Sequence, residues 1–188
     1  MITIGRLFLI PPVLWLIDPV DPYRNFIAAL MFAAASGLDA LDGYLARKQG
    51  LVTVFGKFVD PLADKLMAMA VMVWLVLVQL LPAWLVVVML GRDLYINGLR
   101  SLAAERGIVI AAGEGGKLKT VFQLVGICLV MTRYRYEFPF LEVLIDYHLL
   151  GMLCMYVALT LSLTSAWQYT TGFRRGLQKR DEPAAAED

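Results

Sequence analysis

The sequence is poor in histidine and cysteine and has almost no net charge. Seventeen basic residues against sixteen acidic ones leave +1, so no overall field points to nucleic acid as a partner. The two cysteines, Cys128 and Cys154, lie inside apolar runs and are expected to be reduced core thiols. The single histidine, His148, falls near the face opposite the acidic residues described below and is expected to be an ordinary interfacial residue. No short apolar stretch followed by a small-residue cleavage site opens the chain, so its start reads as a first spanning segment and not as a removed signal. There is no internal repeat, and no low-complexity segment before the tail.

What the chain has in excess is apolar surface. Hydrophobic residues make up 60% of its 188 positions and the mean hydropathy is +0.68, where a soluble domain is nearer half apolar. The expectation is an all-α, polytopic membrane protein: six transmembrane helices in one bundle, with a polar metal site in the cytoplasmic half. The apolar segments are 3–17, 26–45, 59–80, 82–102, 120–132 and 147–169. The first is short for a span of about 20 residues and contains Pro11 and Pro12, so it is expected to lie partly in the interface or to gain a tilted turn. The fourth is expected to be interrupted at Gly91-Arg92-Asp93. Residues 133–140 are aromatic and basic, as at a membrane interface. The bundle is expected to be one catalytic domain over 1–173, followed by a tail over 174–188 that is basic, then acidic, and disordered at its end.

Six spans put both termini on one side. That side holds eleven basic residues, among them Arg47, Lys48 and Lys57, against Arg24, Arg133 and Arg135 on the other. The excess marks the first side as cytoplasmic.

Four aspartates stand where charge is costly: Asp39, Asp42, Asp60 and Asp64. A carboxylate at membrane depth is rare and usually functional. Asp39 and Asp42 share a helix face at a spacing of three, and Gly56, Asp60 and Asp64 form a second stripe at a spacing of four. Asp39, Asp64 and Arg92 each lie eight residues inside a loop boundary, roughly 12 Å below the cytoplasmic edge by helix rise. Two carboxylate pairs on neighbouring helices suit hard divalent cations, Mg²⁺, Mn²⁺ or Ca²⁺, and argue against zinc. Two such ions about 3.5–4 Å apart clamp both oxygens of a phosphoryl displacement. Gly43 and Ala46 leave room for a bulky ligand beside the helix, and Arg47 offers a charge to a phosphate. Two other readings compete. The aspartates could pair with Arg47, Lys57 and Lys65, or serve a cation or proton relay in a small transporter. A transporter would continue its polar groups toward the far side, and there the segments are apolar.

The spacing D-x2-D-G-x2-A-R-x8-G-x3-D-x3-D is filled in full by Asp39, Asp42, Gly43, Ala46, Arg47, Gly56, Asp60 and Asp64. It resembles the signature of the CDP-alcohol phosphatidyltransferase family. Thr3, Arg6 and Pro11 are similar to that family's opening pattern, without the Asn that often precedes the Thr. The resemblance implies a six-helix membrane enzyme, homodimeric, using divalent metal (Mg²⁺ or Mn²⁺, two ions). Such an enzyme moves a phosphatidyl group from a CDP-linked donor to an alcohol and releases CMP. It implies metal ligation by Asp39, Asp42, Asp60 and Asp64, and donor binding by Thr3, Arg6, Asp42, Gly43, Ala46, Arg47 and Gly56. It implies Asp64 as general base, in keeping with the remoteness of His148. It places the chain in the bacterial cytoplasmic membrane, active site toward the cytoplasm, with membrane lipid and no nucleic acid as partner.

Residues 91–107 and 116–123 resemble the bacterial branch of that family whose substrates are CDP-diacylglycerol and sn-glycerol 3-phosphate. Asp93 stands where Glu is commoner. A phosphorylated acceptor needs cations beyond the metals, and Arg92, Arg100, Lys117 and Lys119 are the expected acceptor-phosphate residues, with both lysines at the mouth of the site. Arg92 is expected to escape neutralisation by Asp93, because adjacent residues on a helix point apart. The alternatives are interfacial anchoring for the lysines and a structural pair with another helix for Arg92. Inositol phosphate or an unphosphorylated alcohol such as serine remains open as the acceptor.

Overall fold

A computed structural model describes the backbone of residues 2–18, 20–49, 54–108, 115–133, 135–137 and 144–184, and the side chains of 8–18, 20–37, 65–108, 116–133 and 146–178. Among the described residues there are six helices: α1 (Ile2–Leu16), α2 (Pro22–Gln49), α3 (Val54–Leu77), α4 (Ala83–Glu105), α5 (Gly115–Thr132) and α6 (Tyr147–Ala184). The all-helical expectation holds. A short antiparallel pair, β1 (Arg135–Glu137) and β2 (Leu144–Asp146), precedes α6 with Arg135 opposite Asp146, in a stretch whose composition suggested only an interface.

Most helices outrun their apolar segments. The segments end where composition changes, but backbone hydrogen bonding continues. α2 starts at Pro22, a residue suited to a first turn because its missing N–H has no partner there anyway, and Asp21 Oδ1 accepts the Tyr23 and Arg24 N–H groups. α4 passes through Gly91-Arg92-Asp93 without the expected interruption. α6 continues to Ala184, so the stretch expected as tail is helical through that residue.

Among the described residues, the large buried side chains gather at one end of the bundle. Phe32 of α2, Met72 and Leu75 of α3, Leu85 and Met89 of α4, Ile127 and Met131 of α5 and Met155 of α6 are all essentially inaccessible. At this end α5 and α6 approach closely at glycines. A Cβ on Gly151 would lie 2.6 Å from the Val130 backbone nitrogen, and one on Gly126 would lie 3.0 Å from Met155 Cγ. Small residues at such a crossing let two backbones touch. A smaller cluster at the other end joins Leu99 and Ala103 of α4 to Phe173 of α6, with Ile108, Tyr169 and Leu177 around it.

The turn between α1 and α2 is held by polar groups. Buried Asn25 accepts the Asp18 N–H and donates to the Asp18 carbonyl. Asp18 pairs with Arg24 at 2.8 Å, and the Arg24 guanidinium covers Trp15. The Val20 N–H donated to Asp18 Oδ1, first among several contacts, holds that carboxyl below its ordinary range. His148 Nε2 lies 3.0 Å from the Leu80 carbonyl and ties the α3–α4 turn to α6.

Outward-facing positions are strongly apolar, including Leu30, Val73, Leu77, Trp84, Val87 and Leu153. The 147–178 part of α6 is long and apolar enough to cross a membrane, and Lys65–Leu77 of α3 is a shorter apolar stretch.

The glycine seam yields a direct test. Gly151→Ala must push α5 from α6 against backbone, and overpacking of this kind costs about 1–3 kcal/mol. Its melting temperature in detergent should fall. Gly98→Ala, at a position where a Cβ meets nothing within 4 Å, should leave stability unchanged or raised. Equal behaviour of the two variants would show that the seam does not limit packing.

Candidate functional site

The four aspartates fall on the helices that border residues 50–53. Asp39 and Asp42 are on α2, and Asp60 and Asp64 are on α3. Asp39 lies ten residues before the end of α2, and Asp64 ten residues after the start of α3. Helix rise sets each roughly 15 Å from its helix end. Asp42 and Asp60 lie seven and six residues from the same ends, roughly 10 Å. The positions therefore match in pairs about the connection. Gly43, Ala46 and Arg47 are on α2, Gly56 is on α3, and Thr3 and Arg6 are on α1. The side chains of all these residues lie outside the described set, and no group of three or more metal-ligating side chains is found within it.

A second polar layer is described in full, and it centres on α4. Asp93 is 12% exposed and accepts two hydrogen bonds from Lys119 of α5, at 2.8 Å to Oδ1 and 2.7 Å to Oδ2. Arg92 Nη1 donates to Asp93 Oδ1 at 2.9 Å. The rest of the guanidinium reaches α6: Nε donates to the Ser162 carbonyl at 2.8 Å and Nη2 to Ser165 Oγ at 3.1 Å. The Ser162 hydroxyl is buried and has no hydrogen-bond partner among the described residues. Lys65, one residue after Asp64, donates to Asn97 of α4 and feels the charges of Asp93, Arg100, Lys119 and Arg92. Among the described residues, the chain has thus gathered Lys65, Arg92 and Lys119 around one carboxylate, and this described set is positive. Charge-assisted bonds to a phosphate are the natural chemistry of such a set.

Two expectations need correction. Arg92 is paired with Asp93: the rule that neighbours diverge describes Cβ directions, and a long arginine folds back along the helix. Lys119 is not at the mouth. It is 5% exposed and sits at the level of Asp93, because α5 begins at Gly115 and carries it one turn inside. The structure brings Arg92 and Lys119 together. Lys117 and Arg100 stay exposed, with the Arg100 guanidinium over the Tyr169 ring at 5.6 Å. The alternative of a cross-helix pair for Arg92 is met by its bonds to α6. Lys65, weighed only as a counter-ion, and Asn97, Ser162 and Ser165, not singled out at all, belong to this layer. A lysine and an asparagine inside apolar segments were the available signals.

The sequence profile of the family described as CDP-alcohol phosphatidyltransferase matches residues 1–165, a span that includes every candidate site residue. The chain is similar to the CDP-diacylglycerol–glycerol-3-phosphate 3-phosphatidyltransferase of Bacillus subtilis (strain 168), 37% identical over 184 residues, covering 89% of this chain and 90% of the relative. It is also similar to the protein so named in Rickettsia bellii (strain RML369-C), 31% identical over 172 residues and 89% and 90% of the two chains. To the probable phosphatidylglycerophosphate synthase of Mycobacterium tuberculosis (strain ATCC 25618 / H37Rv) it is 45% identical over 103 residues, 55% of this chain and 49% of that one.

Arg92→Met removes the link from α4 to α6 and leaves Asp93 with Lys119 alone. Because Asp93 keeps Lys119, the loss is that of charge-assisted hydrogen bonds, about 1.5–3 kcal/mol each. A marked fall in thermal stability is therefore expected, measured on the purified protein. An unchanged melting temperature would mean that these bonds do not hold the helices.

Proposed function

The chain belongs to the CDP-alcohol phosphatidyltransferase family, and on that footing we propose that it transfers the phosphatidyl group of CDP-diacylglycerol to sn-glycerol 3-phosphate. The products are phosphatidylglycerol phosphate and CMP. The observation that carries the choice of acceptor is the set of cations from α3, α4 and α5 around Asp93. Among the described residues, Arg92, Lys119 and Lys65 face a single aspartate, a balance that suits an acceptor bringing a phosphate of its own. An unphosphorylated alcohol such as serine would leave that charge without a purpose.

The acceptor hydroxyl attacks the phosphorus bonded to the diacylglycerol oxygen, and the bond from that phosphorus to the CMP oxygen breaks. Asp64 takes the proton of the attacking hydroxyl. Asp39, Asp42, Asp60 and Asp64 would hold the divalent ions, two of Mg²⁺ or Mn²⁺. Their all-carboxylate donor set, paired in depth along α2 and α3, fits hard cations. When bound, such ions supply charge neutralisation at the phosphoryl oxygens. Gly43 and Ala46 leave the α2 surface open to the cytidine diphosphate, with Asp42, Arg47, Gly56, Thr3 and Arg6 around it. Arg92 and Lys119 fix the acceptor phosphate inside the bundle, while Arg100 and Lys117, on the exposed surface, draw it in. Positioning and fixed charge are what phosphoryl transfer asks of a protein.

The bundle over 1–173 is the catalytic domain. It spans the cytoplasmic membrane six times as a homodimer with its active site toward the cytoplasm. The apolar composition, the outward-facing Leu, Val and Trp residues and the one-sided distribution of basic residues support that placement.

An assay in detergent with labelled glycerol 3-phosphate, run beside serine and inositol phosphate, tests the reading. Glycerol 3-phosphate should be the preferred acceptor, and preference for either competitor would replace the proposal. Excess chelator should abolish turnover and Mg²⁺ or Mn²⁺ should restore it. Asp39→Asn, Asp42→Asn and Asp60→Asn should each lose most activity with an unchanged melting profile. Full activity in chelator would dispose of the metal site.

Lys119→Ala deletes one charge-assisted contact worth roughly 1.5–3 kcal/mol. The acceptor KM should rise about ten- to hundredfold, with the donor KM nearly unchanged. Because Lys119 is buried, the comparison is made on protein shown by melting to be folded. Equal changes in the two constants would return unphosphorylated alcohols to contention.

A further inference from the structure

Lys119 and Arg92 differ in how they are held. Arg92 has partners apart from Asp93: the Ser162 carbonyl and Ser165 Oγ fix its guanidinium to α6. Among the described residues, both hydrogen bonds of Lys119 end on the Asp93 carboxylate. The Lys119 side chain is 7% exposed, so its ammonium has little water to turn to, and a buried cation without an anion is costly. Asp93 is in the opposite position. If Lys119 swings away, Arg92 still meets Asp93 Oδ1 at 2.9 Å, and the carboxylate is not left unpaired. Among the described residues the pair is therefore asymmetric: Asp93 can release Lys119, but Lys119 has no second anion there and leaves Asp93 only when another anion receives it.

We propose that Asp93 is an internal stand-in for the acceptor's phosphate, holding Lys119 until that phosphate displaces it, and that this exchange sets how tightly the acceptor binds. The inference rests on the reading of this layer as the acceptor-phosphate site. Asp93 and an incoming phosphate dianion want the same ammonium protons and repel each other. Binding therefore exchanges one anion for another, and does not fill a vacant cation. The carboxylate weakens acceptor binding and, by the same exchange, takes Lys119 back as the phosphorylated product leaves. Asp93 is thus a positioning residue that acts through Lys119.

The test is steady-state kinetics on the full chain in detergent with CDP-diacylglycerol. The acceptor is varied, and inorganic phosphate is used as competitor, for the wild type, Asp93→Asn and Asp93→Glu. Removing one opposing charge at ion-pair distance should lower the glycerol 3-phosphate KM and the phosphate inhibition constant of Asp93→Asn about tenfold each. The donor KM should stay unchanged and kcat should be no higher. Asp93→Glu restores the anion and should return both constants toward wild type. A raised or unchanged acceptor KM in Asp93→Asn would overturn the proposal, since a group that only organises or supports the site would give that result. Melting curves cover the case of a fragile variant: inorganic phosphate should raise the melting temperature of Asp93→Asn more than that of the wild type. An equal or smaller rise, or failure to fold even in phosphate, would equally overturn it. A wild type that does not turn over glycerol 3-phosphate would sink the acceptor reading itself, before any variant is compared, and this proposal with it.

Discussion

A charge inside an apolar bundle must be placed together with its counter-charge, and that constraint organises this molecule. Asp93 satisfies Lys119 from α5 and Arg92 from its own helix, and Arg92 extends the link to α6. The bond from Lys65 to Asn97 ties α3 to the same helix. α4 is thereby joined to three other helices by polar contacts at one level. Polar contacts are directional where apolar ones are not, so they fix the rotation of α4 about its axis as well as its distance. The helix that bears Arg92 and Asp93 cannot turn them away without breaking bonds to its neighbours.

The two ends of the bundle follow different rules. At the end lined by Phe32, Met72 and Met89, packing is close, and α5 meets α6 backbone to backbone at Gly126 and Gly151. Toward the other end, among the described residues, the cationic layer lies beside a smaller cluster around Phe173. A chain that must admit charged substrates has little freedom to pack that region with hydrocarbon.

The count of helices was legible because a run of apolar residues of the right length is a local signal; the aspartates are as local a signal, a charge where charge is expensive, but their side chains lie outside the described residues. Helix ends were less legible. Hydrogen bonding along α2 and α6 runs on after the composition turns polar, so Gln49 and Ala184 lie beyond any apolar boundary. Lys119 read as one of a cluster of basic loop residues, because burial depends on where Gly115 starts the helix. The Arg92–Asp93 pair defied a rule about neighbouring residues that concerns Cβ directions and not the reach of a long side chain. The bond between Lys65 and Asn97 joins residues 32 apart in sequence. It depends on which helices are neighbours, and periodicity does not encode that.

The length of α6 has a consequence of its own. Its 38 residues extend roughly 57 Å at helical rise, while the hydrocarbon of a bilayer is about 30 Å thick. With α6 crossing a bilayer, as the proposed topology has it, close to half of the helix would stand in headgroups or water. Sliding it inward would drag Arg174 and Arg175 into oil, and sliding it outward would strip lipid from Leu149, Leu150 and Leu153. α6 thus acts as a depth gauge. Through the seam with α5 and the Arg92 bonds, it sets how far below the lipid surface the Asp93 layer lies. The depth of that layer is then written into a helix that carries none of the four aspartates of α2 and α3.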